Sequence, residues 1–190
     1  MSRITPVFRP TDYPGTPDDE TRADVAALFE AAFAGADDPA FDKAHTGMAI
    51  AAQSPKFALK LSELTRCAAL DMKWCSAHRD LMELAIQAVN QHFGCVFSFE
   101  ARLPYAESTG IGMDRLAALP MWRDSSLFDE EQKLVLEYVN AVVTGKVPAD
   151  VSERVIARYG ERGAVEISAL VGTFSLWAML INTAAPSFAD

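Results

Sequence analysis

Apolar residues spaced three and four apart recur along most of this chain, and that pattern more than any other limits what it can fold into. In RDLMELAIQAVNQH, the positions Leu81, Leu84, Ala85, Ala88 and Val89 lie on one stripe, which is the 3.6-residue period of a helix with one face in a core. The same spacing runs through Val25, Leu28, Phe29, Ala32 and Phe33. It runs again through Phe57, Ala58, Leu61, Leu64, Ala68 and Leu70, and through Leu134, Val135, Tyr138 and Val142. No period-two run and no pair of hairpin turns competes with it. The pattern predicts an all-α fold of roughly eight or nine helices.

Punctuation divides the helices. Ser54-Pro55 opens one, Ser76 reads as the N-cap of a helix from Asp80 to His92, and Gly94 ends that helix. Cys95 begins the next, which Pro104 should bend by removing a hydrogen bond. Thr109-Gly110 stops it, and a short helix from about Met113 to Leu119 precedes Pro120. Asp129, Glu130 and Glu131 place negative charge in the first turn of the helix that Gly145 closes. Pro148 opens a helix to Tyr159, and Gly163 precedes a last one from Ala164 to Thr183. Residues 1–20 read as an extended arm ahead of a single domain, 21–190.

Composition excludes several functional classes. A formal charge of −9, with acidic residues scattered along the chain, makes nucleic acid and anionic membranes poor partners. A small anionic substrate would need a local cation, and Arg102 is one candidate. The longest uncharged apolar run, Ile167 to Ile181, is shorter than the roughly 18 to 20 residues that span a bilayer. With no secretory pattern at the N-terminus, and with Cys67, Cys75 and Cys95 lacking a CxxC pair, the expectation is a cytoplasmic protein with reduced thiols. No Gly-rich phosphate loop and no cluster of metal-ligand residues stands out, so neither cofactor nor metal is expected.

The order of the pieces carries more. LMELAIQAV is followed by GCVFSFEARLPYAESTGIGMDRLAALP, then by LFDEEQKLVLEYVNAVVTGKVP and EISALVGTFSLWAMLINTAAP. From about Ala44 onward the chain resembles the carboxymuconolactone decarboxylase and alkylhydroperoxidase D-like family. The resemblance implies a compact all-helical unit that self-associates as a trimer or hexamer. Peroxidase-type members carry a glutamate, then CxxC, then a histidine. Glu83 and Cys95 match the glutamate and the first cysteine, while Ser98 stands at the second cysteine and Arg102 at the histidine. Decarboxylase-like members often carry adjacent histidines before the proline, where this chain has Ala101 and Arg102.

On one continuous helix Cys95, Ser98 and Arg102, at i, i+3 and i+7, share a face, with Glu83 on the preceding helix. Arg102 could clamp a substrate carboxylate in bidentate fashion, Glu83 could move a proton, and Cys95 or Ser98 could donate to an oxyanion. His92 and His78 are the other titratable candidates. A dithiol cycle needs a second cysteine to resolve the first; Ser98 cannot serve, and Cys67 and Cys75 lack the motif spacing. The expectation is therefore cofactor-free acid–base chemistry, decarboxylation of a small cyclic organic acid or lactone. One alternative is a thiol-dependent alkylhydroperoxidase or disulfide reductase using Cys95. Another is a non-catalytic binding or structural oligomer, in which Glu83 and Arg102 form a buried ion pair and Cys95 is packing. Trp74, Trp122 and Trp177 read as core or interface aromatics.

Overall fold

The computed structural model describes residues 2–186; the last four residues of the expected domain, 187–190, lie outside the described residues. All regular structure among the described residues is helical, as the apolar spacing predicts. The helices are α1 (Asp19–Ala32), α2 (Thr46–Ala51), α3 (Pro55–Arg66), α4 (Lys73–Ala77), α5 (Arg79–His92), α6 (Val96–Ala101), α7 (Leu103–Ser108), α8 (Met113–Ala118), α9 (Glu130–Val143) and α10 (Ala149–Ala184). The chain divides into two compact units, one formed by Met1–Leu64 with Leu180–Asp190 and the other by Thr65–Met179.

In the first unit, Phe29, Phe33 and Phe41 close into an aromatic cluster with ring centroids 5.0 to 6.1 Å apart. The N-terminal segment is tied into this unit. Val7 is fully buried, its N–H donates to Ala49 O at 2.8 Å, and the Phe41 N–H donates to Phe8 O at 2.9 Å. Asp18 caps α1 by accepting the Thr21 N–H, one of the helix-end donors that would otherwise lack a partner.

The second unit is built around α5. Every residue from Leu81 to Asn90 is buried, so this is a central helix surrounded by protein on all sides. It packs against α9 and against α6 and α7. Asp129 and Gln132 form a reciprocal capping box at the start of α9, which pairs two end groups of that helix at once. The buried face of α9 is Gln132, Val135, Leu136, Tyr138 and Val139. That is rotated from the predicted stripe, since Leu134 and Val142 are only half-buried.

Three breaks differ from the sequence reading. Ser76 lies inside α4, and His78 stands at the N-cap of α5. The helix expected to run from Cys95 through Pro104 is two short helices meeting at Arg102, whose backbone sits at φ −97°, ψ 0°. Pro104 falls in the first turn of α7, where its missing N–H costs no helical hydrogen bond. The expected break near Gly163 is at Gly160 (φ 74°, ψ 169°), a conformation open to glycine and strained for residues with a Cβ. By length and composition α10 could cross a membrane, but much of its apolar segment is buried within the protein. Ile167, Leu170, Val171, Phe174, Trp177 and Ala178 are all core residues.

Candidate functional site

The site grows from a polar row on the most buried helix. Glu83, Gln87 and Asn90 follow one another at i, i+4 and i+7 along α5, and each is no more than 1% exposed. That spacing places them on one face. Polar groups so deep require partners, and the turn from α6 to α7 supplies most of them. Gln87 Nε2 donates to Phe99 O at 3.3 Å, and Asn90 Nδ2 donates to Gln87 Oε1 at 3.3 Å. Asn90 Oδ1 has no hydrogen-bond partner among the described residues.

Glu83 and Arg102 meet in a two-point ion pair: Arg102 Nε donates to Glu83 Oε1 at 3.0 Å, and Arg102 Nη2 donates to Glu83 Oε2. The break between α6 and α7 aims Arg102 at this carboxylate. Its guanidinium also lies 5.0 Å from the Tyr105 ring centre and 5.1 Å from that of Phe174, a cation held over aromatic faces. Only 20% of the Arg102 side chain is exposed. The Nε–Nη2 edge that could grip a substrate carboxylate is thus engaged with Glu83, and the guanidinium face lies against aromatic rings.

Cys95 is held separately. Gly94, at φ 59°, turns the chain out of α5, and the Cys95 N–H donates to Asn90 O at 2.8 Å. Cys95 then occupies the N-cap of α6 with 1% of its surface exposed. Burial pushes its thiol above the ordinary cysteine value, and a hydrogen bond from the Ser98 backbone N–H offsets part of the rise. The cysteine lines a cavity of about 380 Å³ whose other walls include Asn90, Val96, Phe99, Leu103 and Met113.

The structure therefore splits the expected constellation in two. Glu83 joins Arg102, and Cys95 joins the Ser98 backbone, because the break at Arg102 ends the shared helical face. Ser98 is itself buried and does not line the Cys95 cavity. His92 is exposed at the end of α5, its ring 5.1 Å from that of Phe93. Gln87 and Asn90 belong to the site and were overlooked in the sequence, although polar residues four and seven positions after Glu83 on an apolar helix were the available signal. Cys67 is exposed and Cys75 buried; no cysteine is in a disulfide. The Cys75 thiol is pushed up to about 12 by burial and then by the Glu166 charge, so it is no ready nucleophile. Among the described residues no group of three His, Cys, Asp or Glu side chains gathers as metal ligands do.

No family model matches the chain. It is 25% identical over 108 residues to the uncharacterized protein YdfG of Bacillus subtilis, covering 55% of this chain and 74% of that protein. It is 37% identical over 75 residues to the uncharacterized protein YnjA of Escherichia coli, spanning 38% of this chain and only 41% of that one. A solved structure from Agrobacterium tumefaciens, of a protein of unknown function suggested to be the antioxidant defence protein AhpD, superposes with a TM-score of 0.55. The superposition covers 68% of this chain and 86% of that protein, at 20% identity. At that identity the likeness concerns the fold, which is all-helical and AhpD-like.

Proposed function

We propose that this protein reduces small organic hydroperoxides through a single cysteine, Cys95, with a low-molecular-weight thiol as the electron donor. One observation supports the reading above the others: Cys95 lines a cavity of about 380 Å³, a size that admits a small organic molecule. Val96, Phe99, Leu103 and Met113 give that cavity an apolar wall, suited to an alkyl or aryl group. The pairing of Arg102 with Glu83 weighs against decarboxylation, which needs Arg102 available to hold a carboxylate.

In the first step the Cys95 sulfur attacks the terminal oxygen of the hydroperoxide. The O–O bond breaks, the alcohol leaves with a proton, and the cysteine becomes a sulfenic acid. Because Ser98 stands where a resolving thiol would be, an external thiol then attacks the sulfenic sulfur, releasing water and forming a mixed disulfide. A second external thiol restores Cys95 and carries away the disulfide, so two electrons from the donor thiols balance the reduction of one hydroperoxide.

The raised Cys95 pKa gives this reading a pH signature. The thiolate is the nucleophile, so below the pKa the rate follows the thiolate fraction, rising ~10-fold per pH unit. A thiol that burial holds above its ordinary value keeps the rate rising from neutrality past about pH 8.5, the reference cysteine value. The measurement is consumption of tert-butyl hydroperoxide with excess small thiol, compared with the thiol alone at each pH. A protein-dependent rate that plateaus near pH 7, or none at any pH, contradicts the proposal.

A further inference from the structure

A second cavity lies at the α4–α5 junction, with a different chemistry. Trp74 on α4, His78 at the α4–α5 junction and Tyr159 beside the Gly160 break form a three-ring cluster. Trp74 and His78 are 5.6 Å apart between centroids, Trp74 and Tyr159 are 5.7 Å apart, and His78 and Tyr159 are 5.4 Å apart. Gly163 makes room for Tyr159: a Cβ there would lie 2.5 Å from Tyr159 Cβ, well inside van der Waals contact. Beside these rings opens a cavity of about 310 Å³, whose remaining walls include Lys73, Arg158, Arg162 and Glu166.

Just outside the lining, Glu131 pairs with Arg158 and accepts from Tyr159 Oη, while three permanent cations and one carboxylate line the cavity itself. The lining carboxylate is already committed. Glu166 Oε2 accepts the Trp74 N–H at 2.6 Å, and Glu166 Oε1 accepts Arg162 Nε at 2.6 Å. Burial would raise this carboxyl, but those hydrogen bonds prevail and hold it below its ordinary value. Glu166 therefore acts as a cap on α4 and an anchor for Arg162. Arg162 spends only its Nε on that contact, and Arg158 reaches Glu131 through Nη2, so each guanidinium keeps further N–H donors. Lys73 makes no ion pair among the described residues. The Trp74 indole Nε1, on a residue 5% exposed, has no hydrogen-bond partner among the described residues.

We infer that this cavity binds a small organic carboxylate carrying a flat unsaturated ring, with the carboxylate on Lys73, Arg158 and Arg162 and the ring against Trp74, His78 and Tyr159. Guanidinium and ammonium groups supply the charge-assisted hydrogen bonds that a carboxylate accepts, and the aromatic wall favours a ring over a bare inorganic anion. The volume sits at the lower end of small-molecule sites, which suits a single-ring acid. The cavity shares no lining residue with the one at Cys95, so the inference stands apart from the hydroperoxide reading.

Benzoate, cyclohexanecarboxylate, benzyl alcohol and inorganic phosphate titrated into the full-length protein by calorimetry test it, with indole N–H resonances followed by NMR and Trp74 assigned through Trp74→Phe. Benzoate should saturate one site and shift the Trp74 indole signal. Each of the other three probes should bind at least ~10-fold more weakly. Lys73→Gln and Arg158→Gln, both at exposed side chains, should each weaken benzoate about 10-fold or more, while Cys95→Ser leaves it unchanged. Phosphate binding as tightly as benzoate, benzoate affinity untouched by both charge variants, or no saturation at millimolar benzoate would each overturn the inference.

Discussion

Replacing Arg102 with alanine should destabilise the protein by about 3–5 kcal/mol, the cost typical of leaving one charge of a buried pair without its partner. Glu83 is 1% exposed and receives two hydrogen bonds from the guanidinium. Once Arg102 is gone the carboxylate has neither water nor a cation within the core of α5. Urea unfolding measures the loss as a lowered midpoint at unchanged slope. The double replacement Glu83→Leu with Arg102→Leu removes both charges, and most of the stability should return, since a buried pair exchanged for apolar side chains is often neutral. A cycle of the two singles and the double isolates the coupling. A cost below about 1 kcal/mol for Arg102→Ala, the range of an exposed pair, would mean that Arg102 is held in reserve for a ligand and that the structural reading of the pair is mistaken.

Cys95→Ser should abolish thiol-dependent hydroperoxide consumption to the level of the thiol without protein, because a hydroxyl is not oxidised to a sulfenic acid and carries no comparable nucleophilicity. Cys67→Ser and Cys75→Ser should keep the full rate. The serine lies at the same N-cap, where its oxygen is a favourable group, so unfolding stability should change little and the loss of activity is readable as chemistry. Comparable residual activity in Cys95→Ser, lost instead in Cys67→Ser, would assign the reaction to an exposed thiol outside this cavity.

Helix existence was legible because each amphipathic stripe repeats enough turns to be read without tertiary information. Boundaries were less so. The break at Arg102 depends on Pro104 falling in a first turn, and the break at Gly160 in place of Gly163 depends on which glycine the packing forces to positive φ. Neither choice is local. The face of α9 is likewise set by docking: Tyr138, common to the expected and the observed face, donates through Oη to Ala164 O at 3.3 Å and exchanges a hydrogen bond with Ser168 Oγ at 3.0 Å. A partner 26 residues away in the chain leaves no mark on a local pattern.

The candidate site divides along the same line. Spacing placed Cys95, Ser98 and Arg102 on one face, and it failed where the helix it assumed was broken. The pairing of Glu83 with Arg102 was among the alternatives the residues allowed, and geometry selects it. The two cavities are different in kind from both. Each is a gap between side chains brought together from α5 to α8 or from α4, the α4–α5 junction and α10, so its lining exists only once the helices are docked. The cations Lys73, Arg158 and Arg162 are scattered in sequence and carry no motif, which is why the carboxylate expected at Arg102 had no other address in the chain alone.

The account rests on Cys95 being the thiol that reacts inside its cavity, and the most direct measurement is the site of oxidation. The folded protein is treated with one equivalent of either tert-butyl hydroperoxide or hydrogen peroxide, the sulfenic acid is trapped with a cyclic 1,3-dione, and each cysteine peptide is quantified by mass spectrometry. Cys95 should carry most of the adduct with the organic hydroperoxide, more at pH 9 than at pH 7. Exposed Cys67 should show no preference between the two oxidants. Adduct confined to Cys67, or Cys95 labelled no faster by the organic oxidant than by hydrogen peroxide, would contradict the account.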